Sequence, residues 1–407
     1  MQKTTLILLN VILVLNIGFS QWEDISISTD QTLSAVDFLD DNIGFISGFS
    51  TIFRTDNGGD LWTSIYLGGN LVFLEDIFII NENDIVAVGK DVDVNRSLIV
   101  SSSDGGSTWT ETLLESTSNL NSVFFPSDSI GYCAGSLGTI IKTADGGNTW
   151  EKLETGNTNI LQSTFFLNDT LGFVVGGGPT TGIILKTIDG GTTWNQVDSP
   201  SMNFLQSIFF TDFNVGYTVG WNGEILKTED CGDTWRFQNS VSMDGNLEIT
   251  FTDFNTGYIT GGSQVDERSL IQKTTDAGET WEDISPATTD AFISIDFPSF
   301  DIGYAVGVDG LVVRTESGGI TSTSDLSIHK KKFDLNPNPS SSYITLVAND
   351  DSPIELIRLI DTKGAILKVI TPHTATYELS IMDLQPNIYY LEIHSTTSKT
   401  VKKIIKI

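Results

Sequence analysis

The chain has 407 residues and a formal net charge of −30, although only 18% of its residues are charged. So large an acidic excess repels nucleic acid and anionic lipid, and neither is an expected partner. Two cysteines, Cys133 and Cys231, cannot build a disulfide framework, and both read as small structural residues.

In chain order, Lys3, an apolar run over residues 6–15 and small residues at Gly18 and Ser20 predict a signal peptide over residues 1–20. No later run reaches the ~18 apolar residues that a membrane-spanning helix needs, so no membrane insertion is expected. Beyond residue 20 the chain is rich in glycine, threonine, serine and aromatic residues, as suits short strands joined by tight turns.

A nine-residue motif then recurs, with Lys142-Thr143-Ala144-Asp145-Gly146-Gly147-Asn148-Thr149-Trp150 as its fullest copy. The copies end at Trp62, Trp109, Trp150, Trp194, Trp235 and Trp281, spaced 41 to 47 residues apart. That spacing suits propeller blades of four strands. In the fifth repeat the strands read as 205–210, 215–219, 224–227 and 234–237. A glycine–aromatic pair precedes each box, as at Gly131-Tyr132 and Gly216-Tyr217, except in the second repeat, which keeps only the closing Gly89.

A seventh copy, Arg314-Thr315-Glu316-Ser317-Gly318-Gly319, stops short of a tryptophan. The missing piece lies at the start, because Trp22-Glu23-Asp24-Ile25-Ser26 repeats Trp281-Glu282-Asp283-Ile284-Ser285. The expected fold is all-β: a seven-bladed β-propeller over residues 21–321, closed by terminal strand exchange, which removes exposed sheet edges. A polar linker over residues 322–332 leads to a small C-terminal β-sandwich over residues 333–407. The charge changes across it: the last segment holds seven basic and eight acidic side chains, leaving −29 on residues 1–332.

The boxes resemble the Asp-box, or BNR, repeats of sialidases. With the glycine–aromatic strand they look more like the photosystem II stability and assembly factor family. That resemblance covers roughly residues 22–320 and implies the propeller fold, not a role in photosynthesis. The tail resembles the type A C-terminal sorting domain of type IX secretion through Asn336-Pro337-Asn338-Pro339, the stretch from Leu359 to Gly364, Leu384-Gln385-Pro386-Asn387-Ile388-Tyr389 and a basic, apolar end. It implies type IX secretion machinery as a partner, and release from, or attachment to, the surface of a Gram-negative bacterium of the Bacteroidota.

Function is less legible. The propeller lacks histidine, which excludes Ser-His or Cys-His catalysis and a His-ligated metal there. It also lacks the Arg-Ile-Pro segment of sialidases. Asp91, Asp93 and Asn95 resemble half a calcium loop, with Arg96 where the turn glycine belongs. Arg54, Lys142, Lys186, Lys227, Lys273 and Arg314 share one repeat position, which indicates a structural role. No catalytic residue, metal or cofactor is expected.

Length varies mainly over 89–97, 176–182 and 261–269, all on the face opposite the boxes, which marks a binding face. There Trp221, Arg96 and Arg268 are candidate contacts for an extracellular protein or glycan. The leading expectation is a non-catalytic binding scaffold. The alternatives are a polysaccharide-acting glycoside hydrolase, recognisable by two acids converging in a cleft on that face, and a passive stalk.

Overall fold

A computed structural model describes residues 22–319, apart from 70, 179, 241–243, 264–267 and 289, and within the tail residues 333–336, 342–348, 353–361, 366–385, 387–395 and 399–406. The expected signal peptide and linker lie outside the described residues.

Among them, seven four-stranded antiparallel sheets follow one another along residues 22–319. Blade 1 is typical, with strands Leu33–Phe38, Gly44–Gly48, Thr51–Thr55 and Thr63–Leu67 hydrogen-bonded in sequence order. Each first strand lies innermost and touches the first strand of the next blade. The hydrophobic core is therefore a series of slabs between blades. Phe173, Val175 and Ile184 of blade 4 pack on Leu205 and Ile208 of blade 5. Leu33 and Val36 of blade 1 pack likewise on Tyr304, Val306 and Val312 of blade 7.

The last blade takes its outermost strand from the N-terminal segment. Glu23–Asp24 pairs antiparallel with Val312–Thr315, with Glu23 opposite Arg314. Trp22 meets Phe297 edge-on at 6.1 Å, as Trp150 meets Phe125 (5.9 Å) and Trp235 meets Phe210 (6.0 Å) within their own blades. It is the seventh tryptophan, supplied from the other end of the chain.

The stretches read from sequence as long loops are largely longer strands. Blades 2, 4 and 6 extend their middle hairpins to seven residues a strand, as in Gly172–Gly178 with Thr181–Thr187. Blades 3, 5 and 7 instead turn through single 3-10 turns at Ser136–Gly138, Trp221–Gly223 and Val308–Gly310.

The tail forms two sheets. Phe333–Asn336, Tyr343–Ala348 and Thr376–Ser380 make one; Ile366–Ile370, Ile354–Asp361, Asn387–Ser395 and Lys399–Lys406 make the other. Ile344, Leu346, Ile357, Leu359, Leu391 and Ile393 fill one shared core, giving the expected sandwich. Its first strand, Phe333–Asn336, was not anticipated.

Candidate functional site

Every innermost strand carries a β-bulge at the same place, between Leu33 and Ala35 in blade 1, Leu74 and Asp76 in blade 2, and Asn246 and Glu248 in blade 6, with equivalents in the other four. A bulge puts two residues where a regular strand puts one. Two consecutive side chains per blade therefore face the central channel. They include Glu75 and Asp76, Gln162 and Ser163, and Leu247 and Glu248, and together they line a cavity of about 690 Å³.

In every blade but the first, the second residue of the pair has a structural duty. The innermost strand is a sheet edge, and its backbone N–H groups need acceptors. Ser122 Oγ accepts from Thr164 N, Ser163 Oγ from Ile208 N and Ser207 Oγ from Ile249 N, each one blade onward. Ser294 Oγ of blade 7 accepts from Val36 N of blade 1 at 3.1 Å, carrying this belt across the join between chain ends.

Two blades use acids instead. Asp76 Oδ2 accepts from Val123 N at 2.8 Å, and Glu248 Oε2 from Ile295 N at 2.6 Å. Blade 1 has Ala35, which cannot accept. The N–H it leaves, that of Ile77, is met by Oδ1 of Asp76 at 2.8 Å, and Asp37 Oδ2 accepts from Ile79 N one step deeper. Asp76 thus serves two strands at once. Desolvation raises the Asp76 carboxyl to about 7 and the Glu248 carboxyl to about 8, against the backbone hydrogen bonds that favour their ionised forms. Asp296, which accepts from Phe38 N, is also raised by burial.

Deeper still, Phe78, Phe124, Phe165 and Phe209 form a chain of rings with centroids 4.9–5.4 Å apart, so the inner strands change from polar to aromatic. At the mouth, Phe49 and Phe73 meet edge-on at 4.7 Å. Ser50, in the left-handed region at φ 53°, holds that pair in place: its N–H donates to Val72 O and its hydroxyl to Gly69 O. No lysine, arginine or histidine is among the described lining residues.

Comparison with known proteins places these features. Residues 101–201 and 194–289 match the family described as photosynthesis system II assembly factor YCF48, and residues 334–407 match the secretion system C-terminal sorting domain. The chain is an assembly-factor-like propeller carrying a type IX sorting domain. Two solved structures share the fold. YCF48 bound to D1 peptide aligns with TM-score 0.61 and 19% identity over 74% of this chain and 96% of that one. YCF48 from Cyanidioschyzon merolae aligns with TM-score 0.59 and 18% identity over 72% and 98%. No curated relative matches the sequence. The sorting domain marks this propeller for secretion or the cell surface, and no helix among the described residues is long and apolar enough to cross a membrane.

The residues singled out from sequence lie on three different blades of the assembly-factor-like propeller. Trp221, in its 3-10 turn, packs against Phe204 with ring centroids 5.3 Å apart and planes tilted by 32°, and is 43% exposed. Arg96 pairs with Glu115, and Asp91 accepts from Val94 N in its own hairpin tip. Arg268 opens a strand opposite Ser263, and its side chain lies outside the described residues. Neither Trp221 nor Arg96 lines the channel cavity. The cavity was missed, although a signal exists: Leu120-Asn121-Ser122, Leu161-Gln162-Ser163 and Leu205-Gln206-Ser207 each set two polar residues in succession where strand alternation calls for one.

The shared cation position, by contrast, resolves cleanly. Lys142 Nζ and Tyr132 Oη both donate to Gly190 O in the next blade's box, at 2.9 and 3.0 Å. Lys227 and Tyr217 do so to Ala277 O, Lys273 and Tyr258 to Gly318 O, and Arg314 and Tyr304 to Gly58 O. These cations staple neighbouring blades.

Proposed function

We propose that this protein is a non-catalytic scaffold, exported by type IX secretion after signal-peptide cleavage, that binds an extended protein segment at the channel mouth. The observation that carries the reading is the cavity itself. The box end repeats one set of bonds from blade to blade, whereas the mouth is open, polar and lined by residues that differ between blades. A YCF48 structure of the same fold holds a peptide, which supports a protein ligand over a glycan. Trp221, packed against Phe204 and exposed, is a further contact on that face.

Four acids line the cavity, Asp30, Glu75, Asp76 and Glu248, and a pair of carboxylates is what a hydrolase needs. Both oxygens of Asp76 and one of Glu248 are occupied by the backbone belt, in blade positions where serine serves elsewhere. That duty accounts for Asp76 and Glu248 without chemistry, and Glu75 accepts from the Asn119 amide.

The test is a displayed peptide library and a glycan array probed with the secreted chain, alongside a polysaccharide hydrolysis assay. Peptide binding lost on Ser34→Trp, which fills the mouth, but kept on Asn148→Ala at the box end, is expected. Glycan turnover, or binding indifferent to Ser34→Trp, overturns the proposal.

A further inference from the structure

The mouth combines two kinds of surface. On its inner wall stand Glu75, Asp76 and Glu248, with Asp30 at the rim, and no basic side chain among the described lining residues opposes them. One oxygen of Glu75 takes the Asn119 amide at 3.0 Å. On the rim over blades 1 and 2, Phe73, Leu71, Val92 and Val94 are each between 41% and 53% exposed. They are knitted together by backbone bonds, Val92 N to Leu71 O at 2.9 Å and the bridge between Phe49 and Phe73. An apolar shoulder thus borders an acidic pit.

We infer that the mouth selects a cationic side chain next to an aromatic or apolar one: lysine or arginine reaching down toward Glu75, Asp76 and Glu248 while its neighbour rests on Phe49, Phe73 and Leu71. The inference rests on the peptide-binding reading above and adds the class of peptide. Charge complementarity carries it. A carboxylate entering this pit meets several acids and no basic side chain among the described lining residues, whereas a cation meets only groups that attract it. A cation there favours the ionised forms of Asp76 and Glu248, which burial opposes, and so gains charge–charge contacts that a neutral side chain does not. The ring edges of Phe49 and Phe73 offer the neighbouring residue a rigid platform, and Ser50 fixes their geometry before any ligand arrives. The acidic field of the whole propeller steers such a ligand inward, with a rate that falls as salt rises.

The experiment uses the full secreted chain and four labelled peptides: Ac-Gly-Phe-Lys-Gly-NH2, and versions with norleucine or glutamate for the lysine, or alanine for the phenylalanine. Binding is read by fluorescence anisotropy. The Phe-Lys peptide is expected to bind at least about tenfold more tightly than the norleucine version, a difference of about 1.4 kcal/mol, and the glutamate version not at all. Phe73→Ala and Glu75→Gln should each weaken binding several-fold without changing the melting temperature, since Phe73 is exposed and glutamine can still accept from Asn119. If glutamate or norleucine peptides bind equally well and Phe73→Ala weakens them, the charge selection is wrong while peptide capture at the mouth stands. If Phe73→Ala changes nothing for any peptide that binds, both readings fall. If none of the four binds while Ser34→Trp abolishes library binding, only the class named here is wrong.

Discussion

The two ends of the propeller are built by opposite rules. At the box end the same bonds recur: Thr143 Oγ1 donates to Asp145 Oδ1, Gly147 N donates back to that hydroxyl, and Thr149 N and Oγ1 both donate to Asp145, with counterparts at Asp104, Asp189, Asp230 and Asp276. At the mouth end, equivalent positions hold serine, alanine, aspartate, glutamate, asparagine, glutamine, leucine or isoleucine. Repetition follows where a residue serves the turn itself, and variation where the turn has only to reach the next blade. The box end is therefore where stability should respond uniformly to substitution, and the mouth end where it should depend on the blade.

The severest way to break this contrast is at the join. Trp22 is 6% exposed and fills the last blade as the other tryptophans fill theirs. Trp22→Ala should cost about 3–5 kcal/mol in urea unfolding, and it should also free the N-terminal strand to proteolysis near residue 30. Trp109→Ala removes a ring from a blade whose strands are contiguous in sequence, so it should destabilise without exposing that segment. Equal protease resistance of the two variants would mean that the terminal strand does not hold the ring.

Next in size is the belt. Glu248 keeps its proton to about pH 8 in the fold but only through the ordinary glutamate range when unfolded. Its contribution to stability is therefore complete below the unfolded pKa and is lost as pH rises through about 8. Glu248→Gln keeps an acceptor for Ile295 N and abolishes the titration. The variant should match the parent near pH 4 and exceed it at pH 9 by roughly a few kcal/mol, measured as the difference in unfolding free energy across pH. The box acids shift the other way. Hydrogen bonds from Thr149, chiefly from its side chain, hold Asp145 at about 2, so its contribution is present above the usual aspartate range and lost only as pH falls through about 2. A parallel pH profile for Glu248→Gln and the parent would show that serine, glutamine and glutamate are interchangeable there.

Much of this was readable in advance, and the boundary has a physical cause. The blade count, the box turns and the structural role of the repeated cation follow from local spacing, because each box is closed by bonds spanning two to four residues. The staple partner was not readable: Lys227 reaches Ala277 O, fifty residues away. The channel cavity was missed for a related reason. A bulge shifts two side chains to one face, and a period-2 reading of Leu205-Gln206-Ser207 hides it. The tail's opening strand lay in a stretch of mixed polarity that alternation alone does not mark.

The staples permit a two-way test. Lys227 is 4% exposed and donates to Ala277 O at 2.9 Å beside the Tyr217 ring. Lys227→Met should cost about 1–3 kcal/mol. The junction between blades 2 and 3 lacks a staple, with Ser101 and Val86 at the places of lysine and tyrosine. Ser101→Lys should gain about 1 kcal/mol if the new ammonium reaches the Gly146 carbonyl. A loss at both sites would mean that the cations act only alongside the tyrosine.

The smallest expected effect tests the box turn alone. Its first glycine is left-handed, as at Gly146 (φ 71°), and in blades 5 and 6 Cys231 (φ 61°) and Ala277 (φ 60°) stand there instead. A Cβ in that conformation costs about 1–2 kcal/mol, offset in part by the greater entropy that glycine loses on folding. Ala277→Gly should therefore stabilise by somewhat less than about 1 kcal/mol, with no effect on peptide binding at the far end. Because Ala277 also supplies the carbonyl that Lys227 and Tyr217 share, combining Ala277→Gly with Lys227→Met separates backbone strain from stapling. Additive effects would mean that the turn keeps its shape unaided, whereas a gain that vanishes in the double variant would mean that the staple imposes the left-handed geometry.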